Sequence, residues 1–204
     1  MATATQRAEV AGPAGRIEAA VDQPDAAPIG VAVLCHPHPV HGGTMDNKVI
    51  QTLARAFVAL GHRAVRFNFR GVGASQGQWD HGNGEVDDAM AVVAASRVEA
   101  LPLVIGGFSF GGYVAAKAAE RLAAGQAPVQ RVVLVGPATS TFEVPAVPAD
   151  SLIIHGEADE VVPLQATFDW ARPQGLPVVV LPGVGHFFHG QLTRLRDLVR
   201  AWGR

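Results

Sequence analysis

Short apolar runs recur along the chain, separated by stretches with helical spacing. Six of them, residues 29–35, 63–69, 101–107, 130–135, 151–155 and 177–181, are mostly continuous in apolar residues rather than alternating. Continuous apolar strands belong in sheets covered on both faces. Between the runs, Val49, Leu53, Phe57 and Leu60 repeat on one helical face, with Asp46 as the expected N-cap. Residues 113–124 form an Ala-rich helical stretch, and Leu192, Leu195, Val199 and Trp202 line one face of a C-terminal helix. Strand–helix alternation implies parallel strands joined by right-handed crossovers. The first 28 residues break this pattern: residues 7–11 and 16–21 flank Gly12-Pro13-Ala14-Gly15, the signature of a hairpin. The expected fold class is therefore α/β: a doubly wound, mostly parallel eight-stranded sheet with an N-terminal antiparallel hairpin, in a single domain over residues 1–204.

Composition narrows the function classes. Hydrophobic residues make up 49 % of the 204, and charged residues only 17 %, which supplies a core and argues against general disorder. The formal charge of −2, from 16 basic and 18 acidic residues, lacks the clustered cation surface that nucleic acid requires. The single cysteine, Cys35, leaves no intrachain disulfide and no multi-cysteine metal site. With 23 Gly and 14 Pro, the apolar runs stop well short of the ~20 residues of a membrane span. Residues 1–9 contain no apolar segment of the kind a signal peptide needs. These features point to a compact soluble, cytoplasmic protein with neither nucleic acid nor membrane as partner.

Two stretches read G-x-S-x-G. Gly73-Ala74-Ser75-Gln76-Gly77 stands apart from the preceding strand, with a polar, Gly-rich loop over residues 78–84 behind it. Its serine reads as a turn residue. Gly107-Phe108-Ser109-Phe110-Gly111 joins an apolar strand directly to the Ala-rich helix. Such a turn lifts a serine hydroxyl clear of the sheet and aims free helix N–H groups at a developing oxyanion. A serine nucleophile needs a base, and the base needs an orienting acid. Asp159 follows the strand ending in His155, and His186 lies in the Gly-rich loop after the last strand. Both fall beyond strand carboxyl ends, where ligands gather in open parallel sheets. Glu157 and Glu160 compete as acid, and His189 competes as base, although it is expected to begin the final helix and point away.

The loop Cys35-His36-Pro37-His38-Pro39-Val40-His41-Gly42-Gly43 admits two readings. One is a zinc cluster, from the His-x-His spacing with His41 nearby; the sharper His-x-His-x-Asp-His pattern would need Asp where Val40 stands. The other is an oxyanion loop. Pro37 and Pro39 carry no N–H, which leaves His38 or Val40 as donor beside Phe110. The glycines of Arg70-Gly71-Val72-Gly73 do not fit the dinucleotide spacing. Arg70 is expected to pair with a carboxylate near the site.

With these motifs assembled, the chain resembles the α/β-hydrolase superfamily. More narrowly, it is similar to small lidless bacterial hydrolases carrying a His-Pro-His-Pro…Gly-Gly loop, here residues 36–43, followed by Asp46-Asn47-Lys48. The other shared motifs are Arg66-Phe67-Asn68-Phe69-Arg70-Gly71-Val72-Gly73, Gly107 to Gly112, His155-Gly156-Glu157-x-Asp159 and His186-Phe187-Phe188-His189-Gly190. Dienelactone hydrolases and acyl-protein thioesterases look more distant, and the former differ in having a Cys nucleophile. The resemblance implies Ser109, Asp159 and His186 as a catalytic triad, and His38 and Phe110 as oxyanion donors. It further implies hydrolysis of a small-molecule carboxylic ester or thioester, with no cofactor. Residues 136–149 are too few for a helical lid, so an open site lined by Phe108, Phe110, Phe142, Phe187 and Phe188 is expected, with at least two of these in the core. A silent interaction module on the same fold, and a His-ligated metallohydrolase, are the alternatives.

Overall fold

The computed structural model describes residues 5–203; the expectation for residues 1–4 lies outside the described residues. At the N-terminus, β1 (Thr5–Gly12) pairs antiparallel with β2 (Gly15–Asp22), one residue or two longer at each end than the pattern predicts. Each apolar run becomes a strand: β3 (Gly30–Cys35), β4 (His62–Phe67), β5 (Leu103–Phe108), β6 (Arg131–Val135), β7 (Leu152–Gly156) and β8 (Val178–Leu181). They form one eight-stranded sheet in the order β1-β2-β4-β3-β5-β6-β7-β8. The β2–β4 pair is antiparallel, and every pairing from β4 through β8 is parallel. This is the α/β-hydrolase architecture without a lid.

Helices cover both faces: α1 (Lys48–Ala59), α2 (Asn83–Ser96), α3 (Phe110–Ala124), α4 (Leu164–Ala171) and α5 (Leu192–Trp202). Alternate residues of a strand point to opposite faces. Val31, Val33 and Cys35 accordingly join α2 and α3 in one apolar core, while Ala32 and Leu34 join α1 and α5 in the other. No helix among the described residues is long and apolar enough to cross a membrane.

Three local expectations are corrected. The N-cap of α1 is Asn47, whose Oδ1 accepts from the Val49 and Ile50 N–H groups at 2.9 and 3.4 Å. Asp46 instead receives Arg66 at 3.0 Å and Arg7 at 3.2 Å, and this pairing draws its carboxylate away from the helix end. The final helix begins at Leu192, so His189 lies in the turn before it. The loop assigned to residues 78–84 yields to α2 at Asn83. The inner face of α2 includes Glu85 and Asp88, both fully buried, and these charges disguise the apolar period that would have revealed a helix.

Candidate active site

Ser109 is the only residue between β5 and α3, and it takes φ 56° and ψ −120°. A side-chain-bearing residue holds that conformation only where its surroundings enforce it. Two glycines allow the enforcement. A Cβ on Gly107 would run into the Gly111 carbonyl, and one on Gly111 into the Cys35 and His36 carbonyls. The helix start is thereby pressed against the end of β3 as well as its own strand.

The loops after β7 and β8 complete the arrangement. Asp159 Oδ2 lies 2.7 Å from His186 Nδ1, and His186 Nε2 lies 3.0 Å from Ser109 Oγ. An ionised carboxylate only accepts, so Nδ1 carries the proton and Nε2 offers a lone pair to the serine hydroxyl. The Val161 and Val162 N–H groups donate to Asp159 Oδ1 at 2.9 and 2.7 Å. His155 Nε2 lies 3.3 Å from Oδ2 while donating to the Val162 carbonyl at 2.9 Å. Burial alone would raise the Asp159 pKa; His155, His186 and the Val162 N–H override it and hold the carboxyl well below its usual range.

The competing residues are placed elsewhere. Glu157 is exposed and accepts from the Gly183 N–H at 2.8 Å. Glu160, also exposed, reaches the backbone N–H of His186 at 3.4 Å rather than its ring. His189 is exposed and its ring sits beside Phe187. Ser75 is a buried turn serine, donating to the Asn68 carbonyl at 2.7 Å and accepting from the Glu18 N–H at 2.9 Å. Arg70 pairs with Asp88 on α2 at 2.8 and 3.0 Å, and so ties that helix to the segment after β4.

On the other side of Ser109, neither the His38 N–H nor the Phe110 N–H donates to any group among the described residues. The His38 ring stacks on His41 at 4.4 Å and packs on Trp79 at 4.6 Å and Phe110 at 5.2 Å. His36 is fully buried with both ring nitrogens engaged by backbone groups, which removes it as a metal ligand.

The phenylalanines divide. Phe108, Phe110 and Phe188, expected to line the site, are buried in the apolar cores, and the Phe108 ring backs His186 at 4.8 Å. Phe142 is half-buried against Tyr113 and Phe110, with the His38 ring at 6.3 Å. Phe187 is 45 % exposed, 5.1 Å from the His186 ring. His155 and Trp79 escaped the sequence reading. The four-residue spacing from His155 to Asp159 was its signal, whereas nothing in the chain order links Trp79 to His38.

A family model described as serine aminopeptidase, S33, matches residues 38–149. An uncharacterised protein of Rickettsia prowazekii is 30 % identical over 194 residues, covering 87 % of this chain and 79 % of its own length. The crystal structure of an α/β serine hydrolase without lid from Xanthomonas campestris superposes with a TM-score of 0.89 at 39 % identity, over 99 % of this chain and 94 % of that one. An α/β serine hydrolase homologue from Coxiella burnetii gives 0.82 at 39 % identity, over 96 % of both. Taken with the lidless eight-stranded fold, these likenesses make the chain a member of the serine aminopeptidase S33 family within the α/β-hydrolase superfamily.

Proposed function

We propose that this protein is a serine hydrolase that cleaves a carboxylic ester or thioester of a small molecule through an acyl-enzyme. The observation that carries the reading is the unbroken hydrogen-bond chain from Ser109 Oγ through His186 to Asp159. Ser109 Oγ bonds to the carbonyl carbon while its proton passes to His186 Nε2. The oxyanion is received by the N–H groups of His38 and Phe110. Collapse of the adduct expels the alcohol or thiol, which leaves with the proton from His186. Water then repeats the sequence: it gives His186 a proton, attacks the acyl carbon, and frees Ser109 and a carboxylic acid.

The acyl side of the substrate is apolar and unenclosed in this reading. Val40, Val161 and Phe187 are 63 %, 51 % and 45 % exposed, one on each loop that carries an oxyanion donor, the acid or the base. Phe142 and Phe187 flank the acyl group. The test is a chain-length panel of p-nitrophenyl esters and acyl thioesters, with an aminoacyl p-nitroanilide included for amide cleavage. Ester or thioester turnover is expected, and Ser109→Ala is expected to abolish it together with fluorophosphonate labelling. Full labelling with Ser109 removed would overturn the assignment.

A further inference from the structure

His36 stands directly after β3, fully buried, and makes two hydrogen bonds of opposite sense. Its Nδ1 lies 2.6 Å from the Pro37 carbonyl oxygen, and its Nε2 lies 3.1 Å from the Phe69 backbone nitrogen. A carbonyl oxygen only accepts and an amide N–H only donates. The tautomer is therefore fixed by its partners: Nδ1 carries the hydrogen, and Nε2 offers the lone pair.

The Pro37 carbonyl belongs to the same planar group as the His38 N–H, and in a trans peptide the two point in opposite directions. Fixing one end of the plane fixes the other. Further restraints hold the next peptide plane, His38–Pro39. The His38 carbonyl accepts from His41 N at 3.1 Å and Gly43 N at 3.0 Å. A Cβ on Gly43 would collide with the Pro37 and His38 carbonyls, so only glycine lets the loop close over them. At the far side, Phe69 follows β4, and its ring packs on His36 at 4.4 Å. The loop is thus braced against the sheet through one imidazole.

We propose that His36 is a positioning residue for the reaction: its Nδ1–H holds the Pro37–His38 peptide so that the His38 N–H faces the substrate oxyanion. The inference rests on the reading of His38 as an oxyanion donor. A hydrogen bond received by the carbonyl also polarises the amide and strengthens the donor at its other end. Burial pushes the His36 pKa down to about 3, against the opposing pull of the Pro37 hydrogen bond, so the ring stays neutral where ester turnover is measured. A protonated ring would instead present a donor to the Phe69 N–H.

Two substitutions separate the ring's contacts. His36→Asn keeps an amide N–H near the Nδ1 position and gives up the Phe69 contact. His36→Gln keeps an acceptor near the Nε2 position and gives up the Pro37 contact. For p-nitrophenyl acetate, His36→Gln is expected to lower kcat about tenfold or more with KM nearly unchanged. That is a partial version of the ~10²–10³-fold loss on removing one oxyanion donor. His36→Asn is expected to keep kcat within a few-fold of the parent, with thermal melting recorded for both. Unchanged kcat in His36→Gln, or equal losses in both, overturns the proposal. Should His36→Gln fail to fold, His36→Asn decides alone: a folded His36→Asn that has lost kcat more than about tenfold overturns it, and one that keeps kcat supports it. His38→Pro, which suits the observed φ of −52°, removes the backbone donor together with the ring, and a His38→Ala control that removes the ring alone tests the parent reading. If the parent enzyme is active and His38→Pro matches His38→Ala, the donor assignment fails. If His38→Pro alone loses kcat, that assignment holds and the His36 result stands by itself.

Discussion

At the scale of single residues, the site is a matter of which proton each ring holds. Asp159 is held below the usual carboxylate range, so it stays ionised where an ordinary carboxyl would neutralise and goes on accepting from the His186 Nδ1–H. His36 gives a pH effect on stability. Its folded pKa of about 3 lies below the ordinary 6.5, so the unfolded chain takes up a proton that the folded chain refuses. Stability from this group is complete above pH 6.5 and is lost as pH falls toward 3, by up to about 1.4 kcal/mol per unit. Urea midpoints measured between pH 7 and 4 should fall accordingly, and the dependence should weaken in His36→Asn.

The elements show why some parts of the chain were legible and others were not. The six parallel strands announced themselves because both faces of each are covered, which leaves continuous apolar runs. Ser109 was legible from its place between such a run and a helix former. Helix α2 was hidden because its buried face carries Glu85 and Asp88, whose partners come from elsewhere. Glu85 accepts from the N–H groups of Asp80 and Gly82 at 3.0 and 2.8 Å, and Asp88 takes the Arg70 guanidinium. Asp88→Ala would leave that guanidinium nearly buried without its counter-ion, with an expected cost of about 3 kcal/mol or more. Equilibrium unfolding of the variant checks this; a loss under about 1 kcal/mol would mean that Arg70 finds water. The N-cap of α1 was misjudged for a related reason. Asp46 and Asn47 are both good caps, and only the position of Arg66 decides that the carboxylate is used elsewhere.

For the whole molecule, the short connection between β6 and β7 matters most. Among the described residues no helix forms between them, so no helical lid is built there; Val40, Val161 and Phe187, on the loops of His38, Asp159 and His186, are exposed. A site without a helical lid needs no interface to open it. Turnover of p-nitrophenyl butyrate or hexanoate is expected to rise smoothly with concentration through the solubility limit. A jump in rate on reaching the emulsion would indicate a closing segment. Phe108 sets a limit on what motif proximity can say at this scale: it adjoins Ser109 in the chain, yet the alternation of β5 sends its ring into the core beneath His186.

The sequence by itself determined the strand set, the mostly parallel sheet and the placing of Ser109, Asp159 and His186 at strand carboxyl ends. These follow from local periodicity and from which residues end each strand. Only the tertiary structure shows that Asp159, rather than Glu157 or Glu160, meets the His186 ring, because the three differ in direction and burial rather than in position along the chain. It likewise set the His36 ring between the Pro37 carbonyl and the Phe69 N–H, a partner from a distant segment that no spacing rule connects to the loop.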